Sequence, residues 1–309
     1  MCYGGPWMNC PRLRAGSAAA LLLVLVVAGC SPKRIGINRM ADALTSTASA
    51  FTRDNDPEFV RQAAPSTLKM IEMLLEESPS HSGLLMTACS GFTQYAYAFL
   101  QTDAEAAEPR SAAARELRAR GAAMYDRARD YCLRALAMRH PAVTRGLQAN
   151  AQTVLASMTT ADVPALYWTA VAWGGALTLS DSPLARIAEV ATVRALFARA
   201  LQLDDAWEAG AIHEAMIAVE SLPVLLGGSP VRAKEHFDRA VALSNGQSAF
   251  AYVTMATGVA QPARDRREFE RLLRAAIAID PSQRPSLRLA NLIAQKRARF
   301  LLSQIDRVF

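Results

Sequence analysis

Apolar residues recur along most of the chain at intervals of three and four positions, which is the period of one face of an α-helix. The alternation of apolar and polar residues that is typical of β-strands is nearly absent. Short breaks rich in proline, glycine and asparagine separate the periodic segments. The pattern predicts an all-α fold whose helices, after a first one that begins at Asp56, cover roughly 81–102, 111–138, 141–158, 162–179, 183–203, 205–222, 229–243, 247–260, 265–279 and 283–306.

The first helix has clear signals for its start and its end. Asp56 is suited to cap the helix N-terminus, and Pro57 and Glu58 are favoured in the first turn. Pro65 is expected to interrupt or kink the helix, because it removes one backbone donor. Ser78 and the proline after it are expected to end the helix.

A phrase with a central alanine recurs near the ends of four predicted helices. The central residues are Ala135, Ala200, Ala240 and Ala276, at intervals of 65, 40 and 36 residues. The last two intervals approximate one tetratricopeptide (TPR) repeat of about 34 residues with small insertions, and the first approximates two repeats. A small alanine lets the second helix of a pair lie close to the first. We therefore predict a TPR-like helical-repeat superhelix, an α-solenoid, over 56–309; the alternative is a set of unrelated amphipathic helices packed through alanine.

The first thirty residues have the order of parts found in a bacterial secretory signal. Arg12 and Arg14 precede an apolar run over 18–27, and small residues follow the run. A run of about ten residues is too short to span a bilayer. The closing residues Val27-Ala28-Gly29-Cys30 resemble the lipobox, in which the cysteine is lipidated before cleavage. We predict a signal peptide over 1–29 and a lipid on Cys30; the alternative is an ordinary signal peptide with an accidental cysteine.

A lipid on Cys30 would hold the mature chain at a membrane outside the cytoplasm. One acyl chain binds a membrane only marginally, whereas a triacylated terminus is a stable anchor. Ser31 stands where an aspartate would favour retention at the inner membrane, so the outer membrane is favoured weakly. Met8 directly precedes the compact signal, and translation is expected to start there. Residues 30–55 are then a lipidated segment or linker before the helical domain.

The charge of the mature chain is nearly balanced. The whole chain has 34 basic and 28 acidic residues, and the predicted signal peptide contains two arginines and no acid, which leaves 32 against 28, or +4. The arginines are interleaved with acids along the helices, so the composition gives no argument for binding nucleic acid.

Two cysteines remain in the mature chain besides Cys30. Cys89 and Cys132 both lie in helical patterns among alanine, leucine and methionine. A chain outside the cytoplasm could join them in one disulfide. The apolar surroundings favour two buried free thiols over this bridge.

Residues that could carry out catalysis do not converge in the sequence. His213 and Glu214 begin like a zinc-protease motif, but Ile217 stands where the second histidine should be. The other histidines, without metal-ligand spacing among them, are His81, His140 and His236. We therefore predict no metal, no cofactor and no enzymatic activity.

Aromatic residues cluster on two of the predicted helices. Phe92, Tyr95 and Phe99 form one stripe at helical spacing, whereas Tyr97 points elsewhere. The stripe fits either core packing or the lining of an amphipathic pocket or channel, where tyrosine and tryptophan offer an apolar body and a polar tip. The candidate lining residues are Phe92, Gln94, Tyr95, Tyr97, Tyr167, Trp168, Trp173, Asn291 and Gln295.

Several phrases resemble the TRAP-transporter-associated TPR lipoproteins, the TatT family. The most specific phrase is Gly91-Phe92-Thr93-Gln94-Tyr95-Ala96-Tyr97-Ala98-Phe99. Further similar phrases are 56–61 with 68–72 and 75–79, Tyr167-Trp168-Thr169 with Trp173-Gly174, Gly227-Gly228-Ser229-Pro230, and 288–295. The resemblance covers almost the whole mature chain, while the segments 80–83 and 101–115 are less regular and leave the repeat boundaries there open.

The resemblance implies an accessory component of a tripartite ATP-independent periplasmic (TRAP) transport system. Such systems take up small organic acids or other small solutes, apolar ones included, through a solute-binding protein and a membrane permease. The resemblance also implies a homotrimer with channels through its subunits and docking of the periplasmic solute-binding protein. The alternative hypothesis is a TPR scaffold lipoprotein for outer-membrane or secretion-complex assembly.

Overall fold

Helices account for all the secondary structure in the part of the chain that the computed structural model describes, which is Met1 and residues 32–46, 49–180 and 187–309. The all-α prediction is therefore confirmed for these residues. The helices are α1 (Pro32–Ser46), α2 (Ser49–Thr52), α3 (Pro57–Glu77), α4 (Ser82–Tyr95), α5 (Thr102–Ala106), α6 (Ala112–Arg139), α7 (Val143–Gly146), α8 (Ala151–Leu155), α9 (Val163–Leu179), α10 (Ile187–Leu203), α11 (Ala211–Glu220), α12 (Pro230–Ser244), α13 (Ala249–Met255), α14 (Arg266–Ala278), α15 (Arg288–Ser303) and α16 (Ile305–Val308). The predicted signal peptide, its start at Met8 and the lipidation site Cys30 lie outside the described residues.

Two of these helices continue through π-helical segments. Ala96–Gln101 connects α4 directly to α5, and Ala256–Ala260 follows α13. A π-helical segment holds one extra residue per turn and is frequent at functional sites. The first of the two lies within the aromatic phrase of the sequence.

The start of α3 is the one that the sequence predicts. The Asp56 carboxylate accepts hydrogen bonds from the backbone N–H groups of Glu58 and Phe59, at 3.0 and 3.1 Å. The expected interruption at Pro65 is wrong, because α3 runs through that residue. Pro65 is exposed, and burial of Val60 before it and Leu74 after it, on the other face of the helix, stabilises α3 on both sides of the proline.

Two other expectations about the helices need correction. The segment before Asp56 contains α1 and α2, and Ala41 of α1 is fully buried against α3 and α4. The single helix predicted over 141–158 is replaced by the short helices α7 and α8. Asn150 separates them, since its side chain accepts the backbone N–H of Thr153 at 3.2 Å and so caps a new helix.

Helices that are close in the sequence pack against each other. The largest interfaces join α6 to α4 and α9, and further ones join α3 to α4, α9 to α10, α11 to α12 and α14 to α15. Three of the four repeat alanines, Ala200, Ala240 and Ala276, are fully buried, as the repeat phrase predicts. Gly210 shows the close approach at Ala240: with φ at 93°, its position for a Cβ lies 3.3 Å from the alanine Cα.

The C-terminal helices return to the N-terminal ones. Helix α15 contacts both α2 and α3, and the Arg288 guanidinium donates to the Arg53 carbonyl oxygen at 3.2 Å. Arg297 of α15 also bonds Glu105 at the end of α5. Helix α15 near the C-terminus therefore packs against helices from the N-terminal part of the chain.

A disulfide joins α4 to α6. Cys89 and Cys132 are both fully buried, and their Cα atoms are 4.9 Å apart. The expectation of two free thiols is wrong. The apolar neighbours that favoured free thiols are the faces through which α4 and α6 pack, and this packing brings the two cysteines into contact.

Candidate ligand pocket and inner recess

A cavity of about 340 Å³ lies between the start of α3, the π-helical segment with α5, and α15. We call it the outer pocket. Its apolar wall includes Phe99, Ile293 and Phe300. The volume is at the lower end of the range for small-molecule sites, and an apolar wall with a few polar groups is the usual lining of such sites.

The charged groups of the outer pocket are mostly paired. The Arg61 guanidinium binds both carboxylate oxygens of Asp103 and lies 4.7 Å above the centre of the Phe99 ring. Its Nε lies 3.0 Å from the Glu58 carboxylate. Lys296 lies at the pocket with its side chain exposed. The pocket thus combines an aromatic wall with fixed ion pairs.

Arg297 forms the inner wall of the outer pocket. Its guanidinium donates to the Glu105 carboxylate at 2.7 and 3.1 Å, and to the Tyr97 hydroxyl at 3.2 Å. Burial disfavours the charged guanidinium, but the interactions with Tyr97 and Glu105 outweigh this cost, and the pKa of Arg297 is raised. These bonds fix the charged Arg297 side chain at the outer pocket, and we call this side chain the partition.

A second group of side chains lies behind this partition. We call it the inner recess and define it by Tyr97, Tyr167, Glu214 and Phe250. The Tyr97 ring contacts Phe250 with ring centres 5.3 Å apart. Tyr167 contacts Trp207 at 4.7 Å. Burial is the main cause that raises the pKa of both tyrosines, and the charge of Glu214 adds a smaller electrostatic contribution to each.

The side chains of the inner recess are desolvated and yet accessible. Burial raises the pKa of Glu214 to about 7, despite a hydrogen bond from Ser248 that favours the charged form. Burial is also the main cause that raises the pKa of Tyr97 and Tyr167. Nevertheless, the three side chains and Phe250 are only half-buried. These groups therefore lie at the margin of the core, where Tyr97 and Tyr167 pack against buried clusters and keep some contact with solvent.

Several of the candidate lining residues lie elsewhere. Phe92 and Trp173 are buried in the core, where Phe92 stacks on Tyr131 at 5.9 Å and the Trp173 indole N–H donates to Glu189. Trp168 packs against the N-terminal core, Tyr95 packs on Phe99 at 5.4 Å, and Gln94 is exposed on the surface of α4. Tyr97 points away from this stripe, as the helical spacing indicates.

Asn291 and Gln295 connect α15 to its neighbours. The Asn291 side chain accepts from the backbone N–H of Ala249 and donates to the Gln247 carbonyl oxygen, both at 2.9 Å. Gln295 donates to three carbonyl oxygens at the end of α14, among them that of Ile279 at 2.6 Å. Both residues are buried, neither is part of the outer pocket, and their contacts hold helices together.

The sequence is similar to that of a known protein family. The model of the TRAP transporter T-component family matches residues 53–309, which include both the outer pocket and the inner recess. The chain belongs to this family. An uncharacterised protein of Treponema pallidum (strain Nichols) is 28% identical to the T-component over 305 aligned positions, which cover 92% of this chain and 94% of that protein.

Membership in the family indicates the general role of the protein. A T-component is an accessory component associated with a TRAP transport system and with the cell envelope, and the family is not a known enzyme class. In the described part of this T-component, no helix has both the length and the apolar character that crossing a membrane requires.

Two histidines that have no metal-ligand spacing in the sequence lie in contact in the structure. His213 lies 2.7 Å from Asp205 through Nε2 and 2.8 Å from His236 through Nδ1. Arg239 binds the same aspartate. Within the described residues, no group of three or more histidine, cysteine or acidic side chains is arranged to hold a metal ion. This cluster connects α11 to α12.

Sequence analysis named Tyr97 and Tyr167 of the inner recess but missed Glu214 and Phe250, as well as Arg297 and Glu105 of the outer pocket. Arg297 and Glu105 lie in ordinary charged helical stretches, and nothing in the pattern sets them apart. Phe250 is one apolar residue among many. Glu214 had a usable signal, because an acid within a mostly apolar helix indicates a buried polar role.

Proposed function

We propose that this protein is the TRAP accessory component that passes a small ligand to or from a periplasmic solute-binding protein. The outer pocket and the inner recess form the route, with Tyr97 and Tyr167 on its lining. The observation that carries the proposal is that Arg297 lines the outer pocket and its guanidinium also donates to the Tyr97 hydroxyl. Family membership supports the transport role.

The proposal includes the finer features that the sequence predicts. Lipid attached to Cys30 would anchor the mature chain, with the outer membrane favoured weakly over the inner one. The helices would form TPR-like pairs, and the pairing of neighbouring helices and the buried repeat alanines support this. Three copies would assemble as a homotrimer. The chain would bind its partners without enzymatic chemistry.

An exposed apolar loop is the candidate docking surface for the solute-binding protein. We define it as residues 223–231. Val224, Leu225 and Val231 are 77, 95 and 69% exposed, which is unusual for large aliphatic side chains that serve no contact. Single exposed apolar residues are normal, but three within one short segment, two in the loop and Val231 in the first turn of α12, indicate a partner.

The apolar loop is held in a fixed conformation by Glu220. This buried carboxylate accepts from Arg194 at 2.7 Å and from Arg232 at 2.9 Å. Arg232 also donates to the Gly227 carbonyl oxygen at 2.6 Å, and the Ser229 N–H donates to the Glu220 carbonyl oxygen at 2.7 Å. A loop that is ordered before binding loses less entropy when a partner docks.

Affinity purification from the cell envelope tests the proposal. The tagged full-length lipoprotein should enrich a TRAP solute-binding protein, and Leu225→Asp should reduce this enrichment at least about tenfold, since a charge would be desolvated at the interface. Met138→Asp is the matched control, because Met138 is an exposed apolar residue on α6, outside the loop. Enrichment of barrel-assembly or secretion proteins instead would favour the scaffold hypothesis.

A further inference from the structure

Helix α1 is fixed to the body of the protein where α3 ends and α4 begins. Ala41 of α1 is fully buried. The Ser78 hydroxyl donates to the Asn38 side chain at 2.9 Å, and Nε2 of His81 lies 3.2 Å from the Asp42 carboxylate. Ser78 caps the end of α3, and His81 caps the start of α4. Residues 32–46 are therefore part of the folded body and do not act as a linker.

The predicted lipidation site is very close to the start of this helix. Two peptide units separate Cys30 from Pro32, the first residue of α1, and each unit spans about 3.8 Å, so their Cα atoms lie within about 8 Å of each other. The headgroup layer on one side of a bilayer is about 5–7 Å thick, and a helix is about 10 Å wide. A tether this short would keep α1 against the membrane that holds the lipid.

The face of α1 that points away from the body is exposed and carries basic charge. Arg39 is exposed, and the apolar side chain of Met40 is 48% exposed. The sequence of α1 contains three basic residues, Lys33, Arg34 and Arg39, against one acid, Asp42, a net charge of +2. Basic residues next to a lipid anchor are attracted to anionic headgroups, and apolar side chains on the same helix enter the boundary of the acyl chains.

We propose that the exposed face of α1 lies on a membrane surface that contains anionic phospholipids, with Arg39 at the headgroup phosphates and Met40 among the lipids. The inference rests on the proposed function, since the lipid on Cys30 is what holds α1 at the surface. Because α1 is fixed to α3 and α4, this contact gives the whole body one orientation on the membrane. Screening by salt weakens the attraction between the basic residues and the headgroups.

Quenching by brominated lipids measures which side chains reach the bilayer. The full-length lipoprotein with Met40→Cys, labelled with a fluorophore, is reconstituted in brominated vesicles of phosphatidylcholine and phosphatidylglycerol. Its fluorescence should be quenched at least about threefold more than that of the same label on Val231→Cys, since α1 meets the lipid. Val231 is the matched control, because it is exposed and apolar and its helix α12 packs mainly on α11 and α13. Cys89 and Cys132 form a buried disulfide and do not take the label.

A charge variant separates headgroup contact from tethering alone. Arg39→Glu should lower the quenching at position 40 by about half in vesicles that contain phosphatidylglycerol, because it replaces an attracted charge with a repelled one. In vesicles of phosphatidylcholine alone, quenching should be weaker and should not respond to Arg39→Glu. Arg267→Glu makes the same change of charge at an exposed position of α14 and should have no effect in either vesicle.

Three results would overturn the inference: equal quenching of the labels at positions 40 and 231, the same quenching at position 40 with and without phosphatidylglycerol, or no response to Arg39→Glu. Cross-linking of position 40 to a protein in the cell envelope, without quenching by lipid, would overturn it in favour of an acidic protein partner.

Mass spectrometry of the N-terminus separates these results from failure of the proposed function. A chain that carries its lipid but shows no quenching at position 40 refutes the membrane contact of α1 alone. A chain without lipid on Cys30 refutes the proposed anchor and the contact with it. Failure to enrich a solute-binding protein, with quenching as expected, refutes the docking role and leaves the membrane contact in place.

Discussion

Glu214 is a carboxylic acid on a helix where the nearby residues Ile212, Met216 and Ile217 are buried and apolar. Its neighbour His213 contacts Asp205 and also His236, which lies on α12. His213 and Glu214, which begin like a metal-binding motif, therefore point in different directions. The sequence shows that both residues are polar members of an apolar helix. It does not show which space each one faces, because that depends on the helices packed around α11.

The stability of the fold should depend on the ionisation of Glu214. Its pKa is about 7 in the folded chain against 4.5 for a free side chain, so the stabilising contribution is present below pH 4.5 and is lost as the pH rises through 7. From pH 5 to pH 8, the free energy of unfolding of the wild type should fall by about 2–3 kcal/mol relative to Glu214→Gln. Urea unfolding at both pH values measures this difference.

The control for this measurement is Glu116→Gln, because Glu116 is exposed on α6. The difference in the free energy of unfolding between this variant and the wild type should not change with pH. A wild type that keeps the same stability relative to Glu214→Gln at pH 5 and pH 8 would show that the carboxylate is not desolvated.

At the scale of single elements, the sequence predicts where helices occur better than where they end. The cap at Asp56 is local chemistry, and the helix α3 therefore begins as predicted. The break at Asn150 is local as well, but an asparagine in an apolar helical pattern is compatible with either a turn or an exposed helical position. The π-helical segments and the continuation of α3 through Pro65 depend on tertiary packing, which periodicity does not contain.

The disulfide between α4 and α6 should make a large contribution to stability. It closes a loop over a sequence separation of 43 residues, for which loop-closure entropy gives about 4 kcal/mol. Urea unfolding with and without a reductant should show a loss of this order in the wild type. The double variant Cys89→Ala with Cys132→Ala should be destabilised similarly and should not respond to the reductant. A wild type that is insensitive to reductant after full reduction of the thiols would contradict this expectation.

At the scale of the whole molecule, the sequence predicts the all-α class and the packing of neighbouring helices. It does not predict that the two ends of the array meet. The repeat alanines report contacts between helices that are close in sequence, such as those around Ala240. The contact of Arg288 with Arg53 spans 235 residues and leaves no periodic signal. For the same reason the inner recess could not be assembled from sequence, since its residues come from α9, α11, α13 and the segment after α4.

The partition between the outer pocket and the inner recess should be visible as an energetic coupling. Arg297→Met leaves Glu105 without its partner, and Glu105→Gln leaves Arg297 without its carboxylate. In a double-mutant cycle the two changes should be coupled by about 1–3 kcal/mol, because both single variants lose the same half-buried ion pair. Lys296→Met is the control, since Lys296 is exposed on the same helix and should be additive with Glu105→Gln. Additive effects of Arg297 and Glu105 would show that the pair does not hold the partition.

The contact of α15 with the N-terminal helices also determines when, during synthesis, the inner recess is complete. During synthesis the chain emerges from its N-terminal end, and the helices up to α14 can pack with their neighbours as they appear. The hydrogen bond between Tyr97 and Arg297 can form only after about 200 further residues have been made, since this length separates the two residues in the sequence. A nascent chain stalled before that point would have most of its helices, yet Tyr97 and Glu105 would lack their partner. The residues around Tyr97 thus stay incompletely packed until the C-terminal helices have been synthesised.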